Sequence, residues 1–295
     1  MVSTIEIGTA SVNWGFDPLY TWTRTPTFVQ MLDEMSASGY SGTEISYNFP
    51  SDVTKLRSEL GRRKLRAAGA FHTVNLREPS SHDAALQGVT PVADRLQALG
   101  ADVLIFSDEP SARRLAVAGR VASDGSDGLP ESGWVALSQG LNRIGKFLAG
   151  RGMRAVFHPH VGTYVETRAE IDRLCELTDP AVVGLCPDTG HLAYAGVDPA
   201  QIFHDYADRI GYVHLKDIDP EKLSRVRADR IDFVHAVALG LFVELGTGMV
   251  MISRIIDALK RAAYRGWVIV EQDAPANPLD AAIENRKYLR EKFDL

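Results

Sequence analysis

Strand and helix signals alternate from one end of this chain to the other, and that alternation restricts its fold more than anything else in the sequence. Short apolar runs rich in β-branched residues lie at Ile5 to Thr9, Gly42 to Ser46, Ala70 to Val74 and Val103 to Phe106, then at Arg154 to Phe157, Val182 to Cys186, Gly211 to Leu215 and Trp267 to Val270. Apolar residues at helical spacing predict helices over Pro26 to Ser38, Val53 to Ala68, Asp83 to Leu99 and Trp134 to Leu148, and again over Glu166 to Leu177, Pro199 to Tyr206, Met251 to Ala263 and Leu279 to Lys292. Asp52 is the expected cap of the second helix, and Pro91 an awkward interior residue of the third. Asp232 to Leu239 reads as an extra helical turn or two over a rim. Strands apolar on both faces, each followed by a helix, belong in a parallel sheet covered on both sides. Eight such units without a linker predict an α/β fold, a (β/α)8 barrel spanning residues 1–295 as a single domain. The competitor is an open doubly wound sheet, but no G-x-G-x-x-G follows the first strand.

Length agrees: 295 residues suit one closed barrel of about 250 residues plus insertions. A core of that size needs no disulfide. Cys175 and Cys186 have no framework spacing, and Cys186 sits inside an apolar run, so a reducing cytoplasm is the expected setting. The segment from Met1 to Gly8 reads straight into a strand, without the charged and apolar regions of a signal peptide. No run reaches the roughly 18 apolar residues of a membrane helix. Lys and Arg number 32 against 38 Asp and Glu, a formal charge of −6. An acidic chain without a long basic run is poorly suited to neutralising phosphates, so neither nucleic acid nor membrane is an expected partner. Residues 107–132 mix Gly, Ser, Asp and Pro and predict a long loop insertion after strand 4, of the kind that can serve as a lid.

Chemistry-bearing residues gather where the later runs end. Phe157-His158-Pro159-His160, Pro187-Asp188-Thr189-Gly190-His191, Val213-His214-Leu215-Lys216-Asp217 and Val270-Glu271-Gln272-Asp273 each close or follow one. Strand C-termini of a parallel barrel share one rim, so side chains from separate strands meet there. Alternation along a strand points His158 with His160, His214 with Lys216, and Glu271 with Asp273 into the mouth. Each has an ordinary reading. A lone strand-end histidine is more often simply hydrogen-bonded, Asp188 alone can cap a helix, and Lys216 with Asp217 can be a rim ion pair. Their coincidence on successive strands favours a metal site made of His158, Asp188, His214 and Glu271. Mixed imidazole and carboxylate ligands suit Mn, Co, Fe or Zn better than Ca or Mg alone. An ion with open positions can hold a ketone oxygen and acidify the adjacent C–H. In the first half, Glu44 and His72 are expected to face the same mouth, and Trp14 is either core or the stacking floor of a sugar pocket. His82, His204 and His235 are expected at the surface.

Several longer stretches carry a resemblance. They are Gly42-Thr43-Glu44 with Phe49-Pro50, His158-Pro159-His160-Val161-Gly162-Thr163, and Asp188-Thr189-Gly190-His191 with Ala195-Gly196. His214-Leu215-Lys216-Asp217 and Glu271-Gln272-Asp273 with Asn277-Pro278 complete the set. Over nearly its whole length the chain resembles the sugar isomerase and epimerase superfamily, with its xylose-isomerase-like TIM barrel, and within it the inosose dehydratases. The resemblance implies a hydro-lyase of inositol catabolism that dehydrates 2-keto-myo-inositol and depends on a divalent metal, Mn or Co, with Zn, Fe or Mg as alternatives. It makes His160, His191, Lys216 and Glu271 the catalytic candidates, and Trp14, Glu44 and His72 the residues that hold a polyol or keto-sugar substrate. By analogy with such barrels, a homodimer or homotetramer is expected.

Two departures bear on substrate and reaction. The family's usual three histidines after the fifth strand read His158-Pro159-His160, and the middle one faces outward, so the site is spared. The Pro-Gly-Asp-Gly-like turn reads Leu245-Gly246-Thr247-Gly248. Most epimerases of the superfamily carry Glu where His158 stands and need a carboxylate on each face of the substrate. His158 removes one of them, which favours elimination over epimerisation. The alternatives are a ketose isomerase or epimerase, a lyase acting on 3-keto-glycosides, an abasic-site endonuclease that the acidic balance disfavours, and a non-catalytic sugar binder.

Overall fold

A computed structural model of the chain describes residues 5–17, 23 and 25–295; Met1 to Thr4, just ahead of the first strand, lie outside the described residues. Seven strands come first: β1 (Ile5–Thr9), β2 (Gly42–Glu44), β3 (Arg66–Val74), β4 (Val103–Asp108), β5 (Arg154–Phe157), β6 (Val183–Leu185) and β7 (Val213–Leu215). A small antiparallel pair, β8 (Asp217–Ile218) and β9 (Phe242–Val243), precedes β10 (Gly266–Val270). The eight parallel strands are ordered β6-β5-β4-β3-β2-β1-β10-β7. The two ends meet through isolated bridges, Leu185 with Ile210 and Asp188 with His214. The sheet therefore closes into the expected (β/α)8 barrel.

Side-chain alternation divides the core in two. Val103, Ile105, Val156, Cys186, Tyr212 and Ile269 fill the interior, while Leu104, Phe106, Phe157, Leu185 and Val213 pack outward with the helices. Both cysteines are free, and burial pushes each thiol up to about 11. Among the described residues, no helix is long and apolar enough to cross a membrane.

The helix expected over Val53 to Ala68 stops at Arg62. Its N-terminus is as expected, with the Asp52 side chain accepting from Lys55 N at 3.0 Å. At the other end Lys64 adopts φ 58, a left-handed exit, and Arg66 and Ala67 pair with Gly42 and Thr43 of β2. Ladder pairing and burial outweigh the alanines' helix preference, which is worth only tenths of a kcal/mol per residue. The third helix, His82–Leu99, runs through Pro91. Val89, Ala93 and Leu96 are fully buried on its inner face, and that packing compensates for the missing backbone bond. Two helices gave no clear periodicity, Thr189–Tyr194 and Pro220–Ala228.

The insertion after β4 is tightly anchored. It contains the short helix Ala112–Ala116 and leads into the helix Glu131–Ala149. Arg114 has no exposed surface. Its guanidinium donates to Glu170 Oε1 and Oε2 at 2.6 and 3.0 Å and lies 3.7 Å from Glu166. Glu166 in turn accepts from Gly119 N in the insertion and Gly162 N in the turn after β5.

Candidate metal centre and catalytic pocket

Asp188 follows β6 in extended backbone and caps the helix Thr189–Tyr194. Its Oδ1 accepts from Gly190 N at 2.7 Å and His191 N at 2.9 Å. Its Oδ2 is buried without a hydrogen-bond partner. That oxygen faces His158 Nε2 at 3.6 Å, His214 Nδ1 at 3.8 Å, His191 Nε2 at 3.9 Å and Lys216 Nζ at 3.5 Å. The capping role and the chemical role therefore coexist, one on each oxygen. Gly190 is needed at this point, because a Cβ there would lie 2.8 Å from Cγ and Cδ of Lys216.

Glu271 Oε2 stands 3.4 Å from His214 Nδ1 and 3.2 Å from Lys216 Nζ. His214 Nδ1, like Asp188 Oδ2, is buried and lacks a hydrogen-bond partner. Separations of 3.4 to 3.8 Å are too long for hydrogen bonds. They approach the roughly 3–3.5 Å between neighbouring ligands of an ion with bonds near 2.1 Å. His158, Asp188 and His214 form a buried cluster whose donor atoms all lie within 4.8 Å of one another, and its donor set fits a divalent ion. Glu44, His214 and Glu271 form a second, overlapping group.

The charges are set by mutual pairing. Burial favours a neutral Asp188, but Lys216, His191 and His158 hold its carboxyl well below the usual range. Burial likewise works against the Lys216 ammonium, yet Asp188, Asp273 and Glu271 raise it well above its ordinary value. Lys216 Nζ lies 2.7 Å from Asp273 Oδ1, so its rim partner is Asp273 rather than Asp217. Asp217 points the other way and accepts from the backbone N–H of Ile218, Gly246, Gly248 and Val250. It thereby shapes the turn Leu245-Gly246-Thr247-Gly248, where a Cβ on Gly248 would collide with its carboxylate.

The two further histidines pack beside the cluster, with the His160 and His191 ring centroids 3.9 Å apart and the rings tilted by 38°. Burial and the neighbouring His158 push His160 down to about 3, and burial with His160 brings His191 well below its usual value. His160 Nδ1 lies 2.7 Å from the Val161 carbonyl, so this nitrogen carries the proton and Nε2 keeps its lone pair. Phe233, on the extra helix Phe233–Ala238, covers both rings at 6.0 and 5.6 Å.

His158, His160, His191, His214, Lys216 and Glu271 line a cavity of about 470 Å³, within the size range of small-molecule sites. Glu44 reaches it, but its Oε1 is held 2.7 Å from His214 Nε2. Trp14 does not line it. Only 1% exposed, Trp14 packs in the core and donates to Glu34 Oε2 at 2.6 Å, so the stacking-floor expectation is corrected. His72 borders the cavity, yet its ring turns outward to Phe106 and the helix at Gly88, and Phe71 takes the inward place beside His158. The cause is a register shift: Thr43 pairs with Ala67 but Glu44 with Gly69, which skips Ala68 and reverses facing further along β3. His204 and His235 are exposed, whereas His82 is buried with Nε2 3.2 Å from Leu76 O, contrary to expectation.

Sequence reasoning missed Asp108. It ends β4, is fully buried, and accepts from Tyr164 N at 3.2 Å, with Arg77 Nε 3.5 Å from its other oxygen. Burial outweighs Arg77 and raises its carboxyl to about 6. The folded state therefore binds this proton more tightly than the unfolded state, and stability falls as pH rises from about 4 through 6. Asp108→Asn should remove that loss, worth up to about 3 kcal/mol. In urea unfolding, the midpoint difference between variant and wild type should grow in the variant's favour from pH 4 to pH 7. A difference that does not change with pH would sink the argument.

Comparison with known proteins places this geometry among relatives. Residues 32–292 match a family model described as xylose isomerase-like TIM barrel. The inosose dehydratase of Lacticaseibacillus casei is 35% identical over 289 residues, covering 97% of this chain and 96% of that protein. The inosose dehydratase of Geobacillus thermodenitrificans is 34% identical over 297 residues, covering 99% and 98%. Among solved structures, the 3-keto-D-glucoside 4-epimerase of E. coli superposes with a TM-score of 0.71 at 16% identity, covering 97% of this chain and 99% of that one.

Proposed function

The chain belongs to the xylose isomerase-like TIM barrel family, in the company of the inosose dehydratases, and from that premise we propose that it removes water from a keto-cyclitol, 2-keto-myo-inositol. The observation that carries the reading is the rim after β5. There the mouth offers His158 and His160, with His191 from the next strand end packed against them, and His158 stands where most epimerases of the superfamily carry a glutamate.

His158, Asp188, His214 and Glu271 would hold a divalent ion, Mn or Co. Bound there, it would supply Lewis acidity that makes the C–H next to a ketone easier to ionise. Lys216, kept charged by three carboxylates, would stabilise negative charge developing on the substrate oxygen. The lone pair on His160 Nε2 is a base for the α-proton. His160, made an imidazolium by that proton, would hand it on to the departing β-hydroxyl, directly or through His191, whose ring centroid lies 3.9 Å away. The reverse assignment of the two imidazoles is chemically equivalent. The proton taken from carbon is the one delivered to oxygen, so both imidazoles end neutral, as they began. Phe71 and Phe233 would exclude water around the ring, and the cytoplasm is the setting that the free thiols fit.

The test is turnover of 2-keto-myo-inositol by protein reconstituted with Mn or Co, followed by ultraviolet absorbance of the dione and by proton NMR in deuterated water. Metal-dependent dione formation is the expected result. Deuterium entering the substrate without loss of water would transfer the assignment to an isomerase or epimerase. If neither reaction occurs, the substrate assignment falls.

A further inference from the structure

Glu44 reached the argument as a substrate-facing carboxylate and as a member of an alternative ligand group. The geometry points to a third role. Resting on the metal centre proposed above, we propose that Glu44 is a positioning residue for His214. It fixes the ring so that Nδ1 is the atom presented to the cluster, and is itself neither an ion ligand nor a substrate contact.

Three observations support this. Glu44 ends β2 and is 4% exposed, and its Oε1 lies 2.7 Å from His214 Nε2 across the barrel mouth. That is a hydrogen-bond distance and shorter than the roughly 3 Å or more between two ligands of one ion. Second, the other ring nitrogen behaves oppositely. His214 Nδ1 has no hydrogen-bond partner and stands 3.4 Å from Glu271 Oε2 and 3.8 Å from Asp188 Oδ2. Third, a neutral imidazole carries one proton, and the carboxylate at Nε2 decides where it goes. With an ion bound and Nε2–H donating to Glu44, the Nδ1 lone pair would be the one facing the cluster. Were the ion to take Nε2 as its ligand instead, Glu44 would lose this hydrogen bond and Nδ1 would stay buried without a partner.

A carboxylate behind a ligating histidine orients the ring and raises its basicity, and its loss costs about 10–100-fold in metal affinity. Glu44→Ala should weaken Mn binding by that factor in titration calorimetry. Glu44→Gln keeps an acceptor oxygen at the same place, and should return affinity to within about threefold of wild type. The visible spectrum of the Co-loaded protein should be nearly the same in wild type and Glu44→Gln, because the coordinating atoms are unchanged. Should either variant fold poorly, the wild-type protein still answers. With zinc bound and its histidines labelled with nitrogen-15, NMR should show His214 protonated at Nε2 and bound through Nδ1.

Equal loss in Glu44→Gln and Glu44→Ala, with an altered Co spectrum, would make Glu44 a ligand and overturn the proposal. So would unchanged affinity in Glu44→Ala, or zinc on Nε2. Wild-type protein that binds no Mn, Co or Zn would overturn the metal reading itself, an outcome distinct from the others.

Discussion

Asp188→Asn should lower kcat/KM for metal-dependent turnover by about 10³-fold while leaving the protein folded. The asymmetry of this side chain is the reason. The asparagine oxygen can still accept from Gly190 N and His191 N as Oδ1 does, so the helix Thr189–Tyr194 keeps its cap. At Oδ2, the partnerless atom that faces three histidines and Lys216, the charge disappears. An ion at such a centre contributes several kcal/mol to the transition state, and about 4 kcal/mol corresponds to about 10³-fold. Steady-state kinetics across a Mn titration, with circular dichroism on the same samples, measures both halves of the claim. Asp188→Ala should show the same catalytic loss plus about 1 kcal/mol of instability from the missing cap. Activity within tenfold of wild type at saturating Mn would remove Asp188 from the ligand set.

Stability should suffer most at Arg114. Arg114→Met leaves Glu170, and Glu166 beside it, buried without their cation. Breaking a buried pair from one side costs about 3–5 kcal/mol. Both carboxylates keep backbone donors: Glu166 from Gly119 and Gly162, and Glu170 from Glu166 and Thr167. Those bonds soften the loss without replacing the charge. Adding Glu170→Gln to Arg114→Met should recover part of it, which a purely steric account of the arginine would not predict. Urea unfolding of the two variants decides this. A loss under about 1 kcal/mol for Arg114→Met would show that the insertion is held by its apolar contacts alone.

Much of this fold was legible because its signal is local. Apolar runs mark strands that are buried on both faces, and the alternation within Val213-His214-Leu215-Lys216 indicates correctly which residues face the mouth. Facing failed at His72, where a single skipped residue at Ala68 reverses the parity of β3, and one alanine among several carries no mark of a bulge. The exit of the second helix at Lys64 was hidden for a similar reason, since Leu65 to Ala68 suit a helix until β2 is there to pair with them. Trp14 was undecidable from sequence, because its choice between core and pocket turns on Glu34, a helix away. The contact between Glu44 and His214, 170 residues apart, exists only because the barrel closes. No spacing rule reaches across that distance.

Closure itself has a consequence. A barrel resembles a cask, and seven joints between its staves are strand ladders, the one between β2 and β3 broken by the skip at Ala68. The eighth, between β6 and β7, is two isolated bridges, and one of them joins Asp188 to His214. The least riveted seam thus runs through two of the proposed ligands. An ion seated between them would act as a hoop across that seam, so the chemistry of this protein and the roundness of its cask would rise and fall together.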